Sequence, residues 1–295
     1  MKKANKSKIE FFLFILFYRV FKLLPYSVVE RLISQIFIFG GMVLRISKKR
    51  ARIQLKMVFP EKSSQEIRKI LIGMYRNMGI TTAETYFGNT QKLFDKAIVD
   101  GWEILDKAVK MDKGVILITG HLGNWELAGR YIAANFKMGV VGRKLRNRYL
   151  DSFTNKLREK ENIIIIDRKK ALRPIIKLLK ENYIVSLLMD QNAGKNGIQT
   201  DFLGFPASTF VGAAKIAIKT GCPIVPAFAI RLSDGTHHFI CEEIIYPEKY
   251  ENTSESIKEL TELVSKTLEK YILKYPQQWF WVHRRWRGAK KARNF

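Results

Sequence analysis

Short, mostly apolar segments alternate with longer amphipathic segments between about residues 102 and 271 of this 295-residue chain. Strands that are apolar on both faces become buried on both faces, and strands separated by helices form parallel sheets. We therefore predict an α/β fold with a mostly parallel, helix-covered sheet. The predicted strands are 115–119, around 140–141, 163–166, 183–189, 224–231 and 239–245, and the predicted helices are 102–111, 125–136, 150–160, 171–181, 209–220 and 255–271.

Two further segments complete the predicted domain. A Ser-x-x-Glu pattern at 63–66 is typical of a capping box, and it begins a predicted helix that reaches residue 87. The segment 192–208 contains Gly194, Gly197 and Gly204 and is predicted to be a long loop.

The composition excludes several classes of protein. Hydrophobic residues make up 47% of the chain and charged residues 27%, which excludes an intrinsically disordered protein. Because no apolar run reaches the roughly 18–20 residues of a membrane span, a polytopic membrane protein is also excluded. Lys and Arg number 52 against 27 Asp and Glu, so the net charge is +25. A protein this basic is expected to bind nucleic acid, an anionic membrane, or an acidic protein or substrate.

The N-terminal part, residues 1–46, is predicted to be a helical segment that associates with a membrane, and residues 47–295 to be one α/β domain. Lys8, Arg19 and Lys22 lie within about 60° of one another on a helix whose other positions are mostly apolar, as in interfacial amphipathic helices. The alternative is a helix that packs on its own domain. A second capping-box pattern, at 27–30, precedes an apolar helix that either packs on the domain or dips into the bilayer.

A histidine and a glutamate follow the predicted strand 115–119. His121 and Glu126 would diverge by about 140° on one continuous helix, but Gly120 and Gly123 allow a turn that brings them together. A carboxylate on one imidazole nitrogen orients the ring and leaves the other nitrogen to take a proton from a hydroxyl. His121 and Glu126 are therefore the candidate general base and its orienting acid. The alternative is a structural histidine, with the glutamate favoured by the helix dipole.

Asp190 lies at the end of the buried strand 183–189, where an unpaired charge is costly. It is expected to anchor an active-site arginine or an acceptor hydroxyl, or else to cap a turn. The four His and two Cys residues show no zinc-ligand spacing, so no metal site is predicted.

Four blocks resemble one enzyme family in the same order along the chain. Residues 120–126 resemble the H-x4-D/E motif of glycerolipid acyltransferases, and with Asn-Trp-Glu at 124–126 they are similar to the late acyltransferases of lipid A biosynthesis. Residues 142–147, then 190–192 together with 202–209, and finally 278–286 are similar to further segments of that Kdo2-lipid A lauroyl/myristoyl acyltransferase family. The resemblance covers about residues 100–287 well and the N-terminal part more loosely.

This resemblance implies transfer of a fatty acyl chain from acyl-acyl carrier protein to a hydroxyl of a lipid A precursor, without a cofactor. It implies that the enzyme acts at the cytoplasmic face of a bacterial inner membrane. The implied partners are an acidic carrier protein, a phosphorylated glycolipid acceptor and an anionic membrane. His121 and Glu126 are the implied catalytic residues. The implied substrate-binding residues are Asn124, Arg143, Asn147 and Asp190. For Arg143, the alternative is a solvated surface arginine, and the loop 194–207 either covers an acyl tunnel or is a plain surface loop.

Three other functions are weighed against this one. A lysophospholipid or other glycolipid acyltransferase would share the histidine chemistry, and sequence separates these poorly. A nucleic-acid-binding protein would explain the charge, but the chain lacks zinc-finger spacing and an RNA-recognition aromatic pattern, so no nucleic-acid partner is predicted. A membrane-associated scaffold with an inactive site is the third alternative.

Overall fold

A seven-stranded sheet lies at the centre of the structure, a computed structural model that describes residues 2–287. The strands are β1 (Ile98–Asp100), β2 (Val115–Thr119), β3 (Met138–Gly142), β4 (Ile163–Asp167), β5 (Ile184–Leu188), β6 (Ile198–Phe202), β7 (Phe205–Thr209), β8 (Ile224–Arg231) and β9 (His237–Cys241). The helices are α1 (Lys2–Lys22), α2 (Tyr26–Met42), α3 (Lys48–Val58), α4 (Ser64–Phe87), α5 (Thr90–Asp95), α6 (Trp102–Lys110), α7 (Trp125–Ala133), α8 (Arg148–Glu159), α9 (Leu172–Lys180), α10 (Gly212–Thr220) and α11 (Ser254–Lys274).

The strand order in the sheet is β1-β9-β8-β2-β5-β3-β4. The five strands from β8 to β4 are parallel, whereas β9 runs antiparallel to β8 and carries β1 beside it. This confirms the predicted α/β fold with a mostly parallel sheet. Helices cover both faces: one core layer joins the sheet to α9, α10 and α11, and the other joins it to α6 and α7.

The predicted loop at 192–208 is wrong, because most of it is a hairpin. Strands β6 and β7 pair antiparallel, with Phe202 opposite Phe205. The two residues between them, Leu203 and Gly204, have φ of 53° and 80°, as a type I′ turn requires. A leucine is unusual at such a position, so the turn signal is weak. Thr200 and Phe202 alternate with exposed neighbours, which is the period-two pattern of a half-buried strand.

The two capping-box predictions have opposite outcomes. At α4 the Ser63 hydroxyl accepts the Glu66 N–H at 3.2 Å, and the Glu66 carboxylate accepts the Ser63 N–H at 2.8 Å. The box at 27–30 is absent, because α2 begins at Tyr26 with Pro25 as its N-cap. Ser27 therefore lies inside the first turn, past the position from which a side chain caps.

The two N-terminal helices pack on the domain and also leave apolar faces exposed. Val29 and Ile33 of α2 are buried with Ala83 of α4, and Phe11 and Phe14 of α1 contact aromatic rings of α8. The opposite faces carry exposed apolar side chains at helical spacing: Phe12, Leu16 and Val20 on α1, and Val28, Leu32, Ile36 and Phe39 on α2. Between residues 2 and 287, no helix combines the length and the apolarity that crossing a membrane requires.

The predicted division at residue 46 stays a prediction, as does the association of residues 1–46 with a membrane. Positions 288–295 of the predicted domain lie outside the described residues. The sequence patterns missed three short elements, α3, α5 and β1, whose lengths of 11, 6 and 3 residues provide little periodicity to detect.

Candidate active site

His121 and Asp190 occupy matching places beyond the ends of two paired strands. Strands β2 and β5 are parallel neighbours in which Thr119 pairs with Leu188, so the residues two positions further on lie side by side. The N–H of Met189 donates to the Thr119 carbonyl at 3.0 Å, which continues the ladder by one step. The carboxyl ends of parallel strands are where open α/β sheets bind their ligands.

Asp190 holds the imidazole of His121 from the Nδ1 side. Nδ1 lies 2.9 Å from Asp190 Oδ1, and the His121 backbone N–H donates to Oδ2 at 3.0 Å. An ionised carboxylate only accepts hydrogen bonds, so Nδ1 carries the proton and Nε2 keeps its lone pair in the neutral ring. The amide nitrogen of Gln191 lies 3.4 Å from that Nε2. The His121 side chain is 21% exposed and thus open to a reactant, whereas that of Asp190 is 3% exposed.

Glu126 does not orient His121, which corrects that part of the prediction. Its carboxylate instead forms a bidentate pair with Arg158 of α8, with Nε 3.1 Å from Oε2 and Nη2 close to Oε1. The reason is positional: Glu126 lies in the first turn of α7, facing α8, whereas the loop before α7 turns His121 toward β5. Sequence offered no signal for Arg158 beyond its place on a predicted helix.

The charges around His121 favour its protonated form. Burial opposes protonation, but the Asp190 carboxylate outweighs it through charge and hydrogen bonding, and Glu126 adds a smaller effect, so the pKa of His121 is raised above its ordinary value. Burial likewise opposes ionisation of Asp190, yet the His121 charge and hydrogen bonds hold the pKa of that carboxyl below its usual range. The pair is thus an imidazole made more basic by a buried carboxylate.

The C-terminal segment fixes the loop that carries His121. The Phe280 N–H donates to the His121 carbonyl at 3.2 Å, and the Gly123 N–H donates to the Gln278 carbonyl at 3.1 Å. Gly123 has a φ of 56°, and a Cβ there would lie 1.9 Å from the Ala229 carbonyl oxygen, so only glycine fits. Trp279 donates its indole N–H to Asp190 at 2.9 Å.

Asn124 and Asn147 are helix caps, and their contact with substrate stays a prediction. The Asn124 side-chain oxygen accepts the Leu127 N–H at 3.0 Å at the start of α7. The Asn147 oxygen accepts two N–H groups at the start of α8, and its amide donates to the Ser7 carbonyl and to Glu10. Both side chains are buried and their polar atoms are bonded within the protein, so they position α7 and α8.

A buried charge network, which the sequence patterns missed, lies behind the same loop. Glu84 of α4 accepts hydrogen bonds from Arg231 and from the Asn124 amide, and its carboxylate lies 2.9 Å from Nε2 of His237. Burial opposes its ionisation, but bonds to His237 and Arg231 lower the pKa of Glu84 to about 2. The adjacent histidines of β9 have different surroundings, because His237 is buried here whereas His238 contacts Asp100.

A cavity of about 730 Å³ opens beside His121. Its walls are largely apolar and come from both faces of the sheet, since Met138 and Ile163 belong to the α6–α7 core layer and Ile175 and Ile216 to the other. Glu126 and Arg158 also line it. The other basic side chains in its lining are exposed, and they are Arg143, Lys144, Arg146 and Arg168.

Arg143 is exposed and lines the same cavity as His121, and its contact with substrate stays a prediction. Lys144 pairs with Asp167 at 3.4 Å, and Arg168 lies over the Phe210 ring at 5.8 Å. Among residues 2–287, no group of three or more His, Cys, Asp or Glu side chains is placed to hold a metal ion. The cavity therefore combines largely apolar walls with a basic rim.

Known proteins resemble this chain over most of its length. The lipid A biosynthesis lauroyltransferase of Escherichia coli (strain K12) is 28% identical over 272 residues, which cover 90% of this chain and 87% of that protein. The palmitoleoyltransferase of the same organism is 28% identical over 279 residues, covering 90% and 86%. The phosphatidylinositol mannoside acyltransferase of Mycobacterium tuberculosis (strain ATCC 25618 / H37Rv) is 24% identical over 194 residues, covering 64% and 60%.

A solved structure was also matched. The 1-acyl-sn-glycerophosphate (LPA) acyltransferase PlsC from Thermotoga maritima aligns with 87% of this chain and 100% of its own, at 16% identity and a TM-score of 0.41. A family model described as bacterial lipid A biosynthesis acyltransferase matches residues 2–288. The chain therefore belongs to the family of bacterial lipid A biosynthesis acyltransferases.

Proposed function

We propose that this acyltransferase moves a fatty acyl chain from acyl-acyl carrier protein to a hydroxyl of a lipid A precursor, with His121 as general base and Asp190 as its orienting acid. The observation that carries the proposal is the His121–Asp190 pair beside an apolar cavity of about 730 Å³. The cavity supplies space for the acyl chain, and the pair supplies the group that activates an alcohol.

The chemistry needs only the groups present. Nε2 of His121 takes the proton of the acceptor hydroxyl while the hydroxyl oxygen attacks the thioester carbonyl. The resulting oxyanion collapses, the carbon–sulfur bond breaks, and the imidazolium returns the proton to the leaving thiolate. The products are an ester and a free thiol. Asp190 stabilises the imidazolium, since its carboxylate already bonds Nδ1.

The oxyanion and the acceptor also need hydrogen-bond donors in the cavity. The Gln191 amide, next to His121 Nε2, and Arg143 on the rim are the candidates for these contacts. Arg143 also suits a phosphate of the acceptor, because a guanidinium binds phosphate bidentately. Glu126 keeps a supporting role through Arg158, which ties α7 to α8 across one wall of the cavity.

The basic rim of the cavity supports the proposal that the acyl donor is an acidic protein. Residues 143–173 hold eleven Lys or Arg side chains against four acidic ones, counted from the sequence. Among them, Arg143 and Arg146 follow β3 and Arg168 follows β4, so neighbouring strand ends place this charge beside the cavity. Such a surface attracts an acidic carrier and accelerates its encounter with the enzyme.

The exposed apolar faces of α1 and α2 support attachment to the cytoplasmic side of a bacterial inner membrane. Phe12 and Leu13 are 68% and 58% exposed, and this wealth of exposed apolar area suits burial at the acyl–headgroup boundary. Arg45, Lys49 and Arg52 follow directly and are exposed, which adds attraction to anionic lipid. The helices would lie in the interface with their other faces on the domain.

A second acceptor class is a different glycolipid. The phosphatidylinositol mannoside acyltransferase relative is 24% identical over 64% of this chain, and by its name it acylates another sugar lipid. A lysophospholipid acceptor would need the same general base.

The test is transfer by the purified protein from acyl-carrier and acyl-CoA thioesters to a panel of lipid A precursor, phosphatidylinositol mannoside and lysophospholipid, measured by mass spectrometry. We expect ester formation on the lipid A precursor, with acyl-carrier protein preferred. Transfer only to another acceptor would replace the proposed substrate, and no transfer with any pair would refute the proposed function.

A further inference from the structure

A second, smaller cavity lies beside the one that His121 lines. Its volume is about 30 Å³, and the two cavities have five lining residues in common: Thr119, Trp125, Gly129, Met138 and Ser186. All five belong to β2, β3, β5 or α7, on the face of the sheet that α6 and α7 cover. The smaller cavity therefore adjoins the larger one on that face.

One face of α7 leads from the active site to this second cavity. The Trp125 ring lies 5.0 Å from the His121 ring, edge to face. Gly129 is one turn further along the same face, because residues four apart on a helix are neighbours. An alkyl chain that starts at a thioester beside His121 would therefore pass Trp125 and then Gly129.

Beyond the five shared residues, the lining of the smaller cavity is mostly apolar and aromatic. Trp102 lies 5.3 Å from Tyr131, and Tyr131 lies 5.2 Å from Phe239, measured between ring centroids. These three rings line the cavity together with Val99 and Leu117. About 10–15 Å³ of such space holds one water-sized group, so the smaller cavity has room for about two methylene groups.

Gly129 and Met138 lie at the junction between the cavities. A Cβ on Gly129 would meet the Met138 Cε at 3.7 Å, an ordinary contact, and no other atom within 4 Å. The missing side chain thus leaves open space toward the cavities, and a larger residue would fill it without a clash with backbone. Met138 is buried, and its flexible side chain lies on the opposite side of the opening.

We infer that the smaller cavity receives the end of the transferred acyl chain, and that Gly129 and Met138 set the longest chain the enzyme accepts. This inference rests on the proposed function. The opposite face of the sheet, where Ala213 and Ile216 line the larger cavity, does not set this limit. A side chain at position 129 would remove space for the last methylenes, and each lost methylene contact costs about tenfold or more in selectivity.

The experiment is competition among saturated acyl-carrier thioesters that differ by two carbons each, with one acceptor and products measured by mass spectrometry. We expect Gly129→Leu to shorten the longest accepted chain by about two carbons and to reduce its share about tenfold or more. Gly129→Ala should give a smaller shift in the same direction. Met138→Ala should extend the limit. Thermal unfolding of each variant checks folding, and helix propensity favours Ala and Leu over Gly at position 129.

Two matched variants make the result specific. Gly142→Leu also adds bulk at a cavity-lining glycine with no atom within 4 Å, but Gly142 lines only the larger cavity, so the length limit should not move. Ala213→Leu fills the opposite face. A folded Gly129→Leu that keeps the wild-type limit, or a limit that moves with Ala213→Leu instead, would overturn the inference. Absence of transfer by the wild type with every chain would instead refute the proposed function.

Discussion

Trp279 and His121 donate hydrogen bonds to the same oxygen of Asp190. The indole N–H and the His121 backbone N–H lie 2.9 Å and 3.0 Å from Oδ2, which leaves Oδ1 to bind the imidazole Nδ1 at 2.9 Å. The carboxylate is therefore held in one orientation by a residue 89 positions further along the chain. The orientation of the imidazole, and not its presence alone, is what the C-terminal segment secures.

Removal of His121 tests the general base. His121→Ala should lower the rate of transfer by about 10²–10⁴-fold, the usual contribution of general acid–base catalysis. His238→Ala is the matched control. His238 lies on β9 and contacts Asp100 of β1, so its substitution should leave transfer unchanged. Steady-state rates with acyl-carrier protein check both. A His121 variant with near wild-type turnover would contradict the mechanism.

Asp190→Asn should shift the pH dependence of transfer as well as slow it. The negative charge of Asp190 raises the pKa of His121, so its loss lets the imidazole deprotonate at lower pH. The acidic limb of kcat/KM should therefore move to lower pH, with a lower plateau because the ring is no longer oriented. A pH profile whose limb stays in place would show that the two groups are not coupled.

Glu126→Gln should also move the acidic limb of the pH profile to lower pH, but by less than Asp190→Asn does. Glu126 also raises the pKa of His121, but its main partner is Arg158. The variant leaves Arg158 without its carboxylate, so both transfer and stability should fall. A double-mutant cycle with Arg158→Gln measures the coupling, and additive losses would show that the pair does not act together.

Glu84→Gln should destabilise the fold by about 3–5 kcal/mol, because it leaves Arg231 with a buried, unpaired charge. The pKa of Glu84 is lowered from 4.5 to about 2, so its stabilising effect is present above pH 4.5 and is lost as the pH falls toward 2. Urea unfolding of the variant and the wild type at neutral pH tests the loss of stability. Urea unfolding between pH 4.5 and pH 2 tests how the stabilising effect depends on pH. Glu255→Gln, at an exposed site, is the control that should leave the unfolding midpoint unchanged.

Charges placed on the outer face of α1 should release the protein from lipid. Phe12→Glu combined with Leu16→Glu puts two carboxylates where 68% and 52% exposed apolar side chains now lie. We expect co-sedimentation with anionic vesicles to fall sharply. Leu263→Glu, on α11 at 42% exposure, should bind vesicles like the wild type. Equal loss in both would argue against a membrane role for α1.

Sequence patterns predicted the sheet well because β2, β5 and β8 are apolar at nearly every position, and a continuous apolar strand has few alternative structures. They also found His121 and Asp190 separately, each after a buried strand. They did not pair them, because strand order depends on packing between distant segments. Sequence spacing favours Glu126, which lies closer along the chain, although β5 brings Asp190 to the ring from 69 residues away. The sequence does contain one signal for the pair. His121 and Asp190 each lie two residues beyond the end of a strand, and such residues become neighbours when the two strands pair in parallel.

The contacts of the C-terminal segment have a consequence for synthesis of the protein. Arg285 binds the Ser208 carbonyl and the Thr209 hydroxyl, and its N–H bonds Gln54, while Trp279 and Phe280 support the reacting imidazole. A nascent chain folds from its N-terminus as it leaves the ribosome. Until residues 278–285 have been synthesised, the sheet can assemble, but Asp190 and the loop that carries His121 lack the contacts of the C-terminal segment. Catalytic competence should therefore arise abruptly and late in translation, after the apolar helices α1 and α2 have long been free to reach a lipid surface.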